Sequence, residues 1–71
     1  MSTEVTAPMP GAVSQILVKV GDQVKYEDEL MILEALKMEN PIYAPADGKV
    51  LEIRVAAGAK VEANQVLLVI E

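Results

Sequence analysis

The sequence predicts an all-β fold: a flattened β-sandwich of two four-stranded antiparallel sheets related by an approximate two-fold axis. Three observations lead there. Aliphatic residues must fill the interior, because the chain is 52% hydrophobic but only 3% aromatic, with two Tyr and neither Phe nor Trp. Apolar residues alternate with polar ones at a period of two, as half-buried strands require. The sequence also repeats itself. Shifted by 37 residues, Val5 to Glu34 align with Ile42 to Glu71 without a gap, and ten of the thirty pairs are identical: Ala7/Ala44, Pro8/Pro45, Gly11/Gly48, Val13/Val50, Ile16/Ile53, Val18/Val55, Gly21/Gly58, Val24/Val61, Leu30/Leu67 and Glu34/Glu71. Low complexity does not produce matches on Gly, Pro and spaced aliphatics, so the chain is two copies of one unit.

Each unit reads as about four short strands. The Ala-Pro pairs at 7–8 and 44–45 close the first strand, since proline has no N–H for a ladder. A second strand follows, where Ile16, Val18 and Val20 alternate with Leu17 and Lys19, and Ile53 and Val55 with Glu52 and Arg54. Within it Val13 to Ile16 and Val50 to Ile53 step by three rather than two, which predicts a bulge. Gly21 and Gly58 then sit between apolar segments as turn residues tolerant of positive φ. The runs Leu30–Leu33 and Val66–Ile70 are short apolar stretches suited to strands covered on both faces. The stretch Tyr26–Lys37 has helix-favouring Glu, Leu, Met and Ala, but its repeat partner Ala63–Glu71 is rich in β-branched residues, and equivalent positions share a conformation.

Two such units seal each other's apolar faces. Thirty residues without staples do not fold alone, so the domain is residues 5–71, with repeat halves 5–34 and 42–71 joined by a hairpin over 35–41 and preceded by a flexible N-terminus over 1–4. Chain-length scaling gives about 4,300 Å² of folded surface and therefore a thin core.

Composition excludes whole classes of function. With no His and no Cys there is no disulfide, zinc knuckle, thiol nucleophile or imidazole-dependent triad. The formal charge of −5 has the wrong sign for nucleic acid. No apolar run approaches the ~20 residues of a membrane span, and the N-terminus has no signal-like apolar stretch, so a cytoplasmic protein without membrane insertion is expected. Glu27, Asp28 and Glu29 are three consecutive acids that do not converge as an acid/base pair would, and they read as a solvated turn. Tyr26 and Tyr43 read as partly packed residues.

The segment the repeat leaves over is Ala35-Leu36-Lys37-Met38-Glu39-Asn40-Pro41. As a hairpin tip it is chemically odd, because turns select Gly, Asn or Asp, whereas here one lysine stands between Leu36 and Met38. Glu34-Ala35-Leu36-Lys37-Met38-Glu39, at the midpoint of a duplicated all-β chain, resembles the attachment signature Glu-Ala-Met-Lys-Met of biotin carboxyl carrier (biotinyl) domains. The resemblance extends from Val5 to Glu71 and includes the Ala-Pro-x-x-Gly segments at 7–11 and 44–48. It implies a barrel-sandwich hybrid in which biotin protein ligase joins biotin to Lys37. Glu34, Ala35, Leu36, Met38 and Glu39 would then form the signature that the ligase recognises. It further implies a non-catalytic carrier whose biotin shuttles CO₂ between a biotin carboxylase and a carboxyltransferase or decarboxylase. Leu36 departs from the usual Met at little change in volume. The ungapped repeat leaves no room for the protruding thumb of some relatives, so the domain is expected to be thumbless.

Two other readings stand beside it. A lipoyl carrier domain has a similar fold, but its lysine typically follows an aspartate, not a leucine. An unmodified β-sandwich interaction module would give Lys37 no special role.

Overall fold

The computed structural model describes residues 2–71. Eight strands follow one another: β1 (Thr3–Thr6), β2 (Gly11–Ile16), β3 (Gln23–Val24), β4 (Glu29–Ala35), β5 (Met38–Tyr43), β6 (Gly48–Ile53), β7 (Lys60–Val61) and β8 (Val66–Ile70). They form two four-stranded sheets, β1-β8-β6-β3 and β5-β4-β2-β7, and every pairing is antiparallel. Adding 37 to each residue number converts β1, β2, β3 and β4 into β5, β6, β7 and β8, so the repeat maps one sheet onto the other.

Hydrogen bonds outside the ladders obey the same rule. Leu17 N donates to Leu30 O as Arg54 N does to Leu67 O, both at 2.9 Å. Glu27 N reaches Ala44 O, and its counterpart Asn64 N reaches Ala7 O. The backbone conforms as well: φ is 96° at Gly21 and 90° at Gly58, and 70° at Glu27 and 67° at Asn64. Both expected bulges occur, with register shifts between Val13 and Gln15 and between Val50 and Glu52.

The core is composed of repeat pairs. Val5/Ile42, Ala7/Ala44, Val13/Val50, Val24/Val61, Leu30/Leu67, Met31/Leu68 and Leu33/Ile70 make one buried cluster, and Ile16, Val18, Ile53 and Val55 pack at its margin. Among the described residues none that is polar is buried, so aliphatic burial across the interface between halves carries the stability. The helix-favouring stretch is strand from Glu29 to Ala35, because Leu30, Met31 and Leu33 bury themselves in that sandwich.

Three expectations need correction. The strand ladder begins before the repeat boundary: Thr3 pairs with Ile70 and Glu4 with Val69, so these two residues are not a flexible arm, while Met1 lies outside the described residues. The second strand of each unit stops at Ile16 and at Ile53, and beyond it only Leu17 N and Arg54 N still bond the neighbouring strand before the chain enters its turn, leaving Val20 61% exposed. Both tyrosines are exposed rather than packed, Tyr26 by 63% and Tyr43 by 51%.

The acidic turn is as expected. Asp28 accepts a hydrogen bond from Lys25 N at 2.9 Å, closing the turn locally. In the second half Arg54 is hydrogen-bonded to Glu52 and lies 3.9 Å from Glu4, and Glu52 above all holds its guanidinium above its ordinary pKa. Among the described residues there is no helix, so none is long and apolar enough to cross a membrane.

Candidate functional site

The hairpin between the halves is tighter than the 35–41 loop expected from sequence. β4 runs through Ala35 and β5 starts at Met38, with Ala35 and Met38 directly paired, so only Leu36 and Lys37 turn the chain. Both adopt positive φ, 54° and 62°, as a two-residue turn of the type that follows strand twist demands. Such turns ordinarily use Asn-Gly. Placing side chains with a Cβ in the left-handed region costs about 1–2 kcal/mol per residue. The tip is therefore a strained local choice, with two successive residues at positive φ where the Glu27 and Asn64 turns have one non-glycine residue each.

What surrounds the turn keeps it rigid. Six paired positions join β4 to β5, and β2 flanks β4 on the other side with Ala12 opposite Glu34. Gly11 permits this approach: a Cβ there would collide with the Glu34 carbonyl and lie 3.2 Å from the Ala35 Cβ. Pro41 falls on β5, which pairs only with β4, an edge position that tolerates a missing N–H.

At the tip the side chains stand in solvent. Leu36 is 89% and Met38 65% exposed, and Lys37 between them is exposed as well. Among the described residues Lys37 makes no ion pair; the two ion pairs both belong to Arg54. Its ε-amine is a free, sterically open nucleophile on a rigid turn, which suits covalent acylation by another protein.

The remaining signature residues divide by face. Ala35 is buried and helps seal the end of the core, whereas Glu34 and Glu39 are exposed and directly opposite each other across β4 and β5. Like charges in that position repel. Ser14, the residue at the β2 register shift, donates its hydroxyl to Glu39 at 3.2 Å. Sequence reasoning missed Ser14, as it missed Lys60, which reaches this end of the sheet by pairing with Ala12. Among the described residues no cluster of carboxylates could hold a metal ion.

A sequence model of the protein family described as "Biotin-requiring enzyme" matches residues 3–70. The chain belongs to this family. It is 50% identical over 64 residues to the biotin carboxyl carrier protein of Streptococcus mutans, covering 90% of this chain and 49% of that protein. It is 40% identical over 65 residues to the mouse mitochondrial methylcrotonoyl-CoA carboxylase subunit alpha, covering 92% of this chain and 9% of the subunit. In the crystal structure of Kluyveromyces lactis urea carboxylase a region matches all of this chain with a TM-score of 0.94 and 31% identity, and it is 6% of that chain. The chain thus spans about half the length of the bacterial carrier and a small part of the larger enzymes. These relatives are a biotin carrier protein and two carboxylases, which favours biotin over the lipoyl alternative. Neither half carries an insertion between equivalent strands, so the domain is the thumbless form.

Proposed function

We propose that Lys37 is the residue that carries biotin, and that the domain moves CO₂ between the active sites of a biotin-dependent carboxylase or decarboxylase. The observation that carries this reading is the isolated, exposed lysine on a strained two-residue turn between exposed Leu36 and Met38. Biotin protein ligase would supply biotinoyl-adenylate. The deprotonated Nζ attacks its acyl carbon, the acyl–phosphate bond breaks, AMP leaves and the amine sheds a proton to solvent. Net charge moves from the formal −5 to −6.

When attached, biotin supplies the ureido nitrogen on which CO₂ is carried, chemistry that no side chain of this domain offers. The protein's part is placement. A rigid hairpin at one end of a 32 × 17 × 17 Å body holds the attachment point out from the core, and the flexible tether raises the effective concentration of the carried group at each partner. Leu36 and Met38 offer the apolar contacts, and Ala35, Glu34 and Glu39 the framework, that a ligase would read. The partners are then the ligase, a biotin carboxylase and a carboxyltransferase or decarboxylase. The cysteine-free composition agrees with a cytoplasmic location.

The test is transfer. Ligase-treated protein incubated with a biotin carboxylase, MgATP and labelled bicarbonate should acquire acid-labile label, and Lys37→Arg should acquire none. Fully biotinylated wild-type protein that takes up no label would refute the carrier role.

A further inference from the structure

We propose that the outer face of the β7-β2-β4 sheet beside the tip is a resting cradle for the ureido bicycle of the tethered biotin, with Lys60 and Glu34 as its polar jaws and Ala12 as its floor. This rests on the assignment of biotin to Lys37. Strand pairing sets Lys60 opposite Ala12, and Ala12 opposite Glu34. Directly paired residues project from the same face, so the three stand in one row across adjacent strands. Lys60 and Glu34 are then two strand spacings apart, about 10 Å. That is too far for an ion pair, and neither makes one among the described residues.

Between them lies an open groove of about 450 Å³, with Gly11, Ala35 and Leu36 adding apolar wall and Lys37 itself at the rim. Its volume falls within the range of small-molecule sites. The root of the tether is thus part of the groove's own lining, and the occupant is held beside it at high local concentration. The chemistry matches a cyclic urea: the Lys60 ammonium donates to the ureido carbonyl, the Glu34 carboxylate accepts from a ureido N–H, and small side chains leave space for the ring.

The other half of the molecule supplies the control. The repeat-equivalent row across β3, β6 and the end of β8 is Gln23, Lys49 and Glu71, with Gln23 paired to Lys49 and Lys49 exchanging 2.8 Å backbone hydrogen bonds with Glu71. There a long lysine stands on the floor and the cation of the jaw is an amide. Two substitutions that distinguish the rows, Ala12 for Lys49 and Lys60 for Gln23, are the two that a cradle needs.

The experiment compares ¹H–¹⁵N spectra of the apo and fully biotinylated protein, with modification verified by intact mass. The cradle predicts shifts at the Gly11, Ala12, Glu34 and Lys60 amides in addition to those at Leu36–Glu39. It also predicts loss of these additional shifts in biotinylated Lys60→Gln and Ala12→Lys, which copy the other half. Shifts confined to Leu36–Glu39 in wild type would overturn the cradle while leaving the attachment intact, as would additional shifts that persist in both variants. Absence of the mass gain would instead overturn the assignment of Lys37.

Discussion

The two halves of this domain share a backbone and differ in what they do at their ends. Residues 5–34 and 42–71 agree in strand order, bulge position, turn hydrogen bonds and core membership. At the end of β4, however, the chain turns through Leu36 and Lys37 into β5, whereas the equivalent end of β8 lies beside β1 and the chain terminus. The fold is therefore encoded twice, and the two-residue turn that presents Lys37 once. In the duplicated part the departures from local preference come as repeat mates, Glu27 and Asn64 at φ of 70° and 67°. The unique part breaks it, with a leucine and a lysine at φ of 54° and 62° where glycine or asparagine would be easier.

The largest expected effect concerns the functional side of that comparison. Lys37→Ala should abolish ligase-catalysed biotinylation completely while leaving thermal stability close to wild type, since the side chain contacts no core residue. Streptavidin reactivity surviving in this variant would mean that another lysine is the target.

Next come the shared cores. Leu30 and Leu67 are repeat mates, and both are fully buried. Truncating either to Ala should cost about 2–5 kcal/mol in urea unfolding, by similar amounts because each fills the same place in its half. A cost confined to one half would break the symmetry argument.

Gly11 and Gly48 sharpen it. A Cβ at Gly11 meets the Glu34 carbonyl, and one at Gly48 meets the Ile70 side chain and lies 2.7 Å from the Glu71 carbonyl oxygen. Alanine at either should destabilise by about 1–3 kcal/mol through overpacking. Gly11→Ala alone should also slow biotinylation, because it displaces the strand end that holds the tip; steady-state ligation rates of the two variants decide this.

The smallest effect is at the turn. Leu36→Asn relieves part of the left-handed strain and should stabilise the domain by about 0.5–1 kcal/mol, while removing an apolar contact and reducing the ligation rate. An increase in stability with unchanged ligation would show that Leu36 is not read by the ligase.

Most of the fold was legible because the repeat is an internal alignment. It identified Leu30–Leu33 as strand against the helix-favouring composition around it, since the β-branched Val69 and Ile70 argue for their mates Ile32 and Leu33. It located both bulges from a three-residue step. Where it fell short, the causes are physical. Thr3 and Glu4 lie outside the aligned region, yet the β8 ladder has room to pair them. Val18 to Val20 keep a strand-like alternation but lie beyond the last bond to β4, from Leu17 N to Leu30 O, so the pattern outlasts the pairing. That Lys37 falls in the hairpin between the halves was legible from the repeat. The two-residue turn was not, because positive φ at Leu36 and Lys37 is imposed by the paired strands rather than preferred by those residues. Lys60 was invisible for a different reason: its place beside the tip depends on β7 joining β2, a long-range pairing that no local pattern records.

The central claim is that one lysine, in the hairpin that joins the halves, is the site of modification. Intact-mass analysis after treatment with biotin protein ligase, ATP and biotin, followed by peptide mapping, tests it most directly. The account predicts a single increase of about 226 Da, located on Lys37 and absent from Lys37→Arg. No increase, or an increase located on Lys19, Lys25, Lys49 or Lys60, would contradict it.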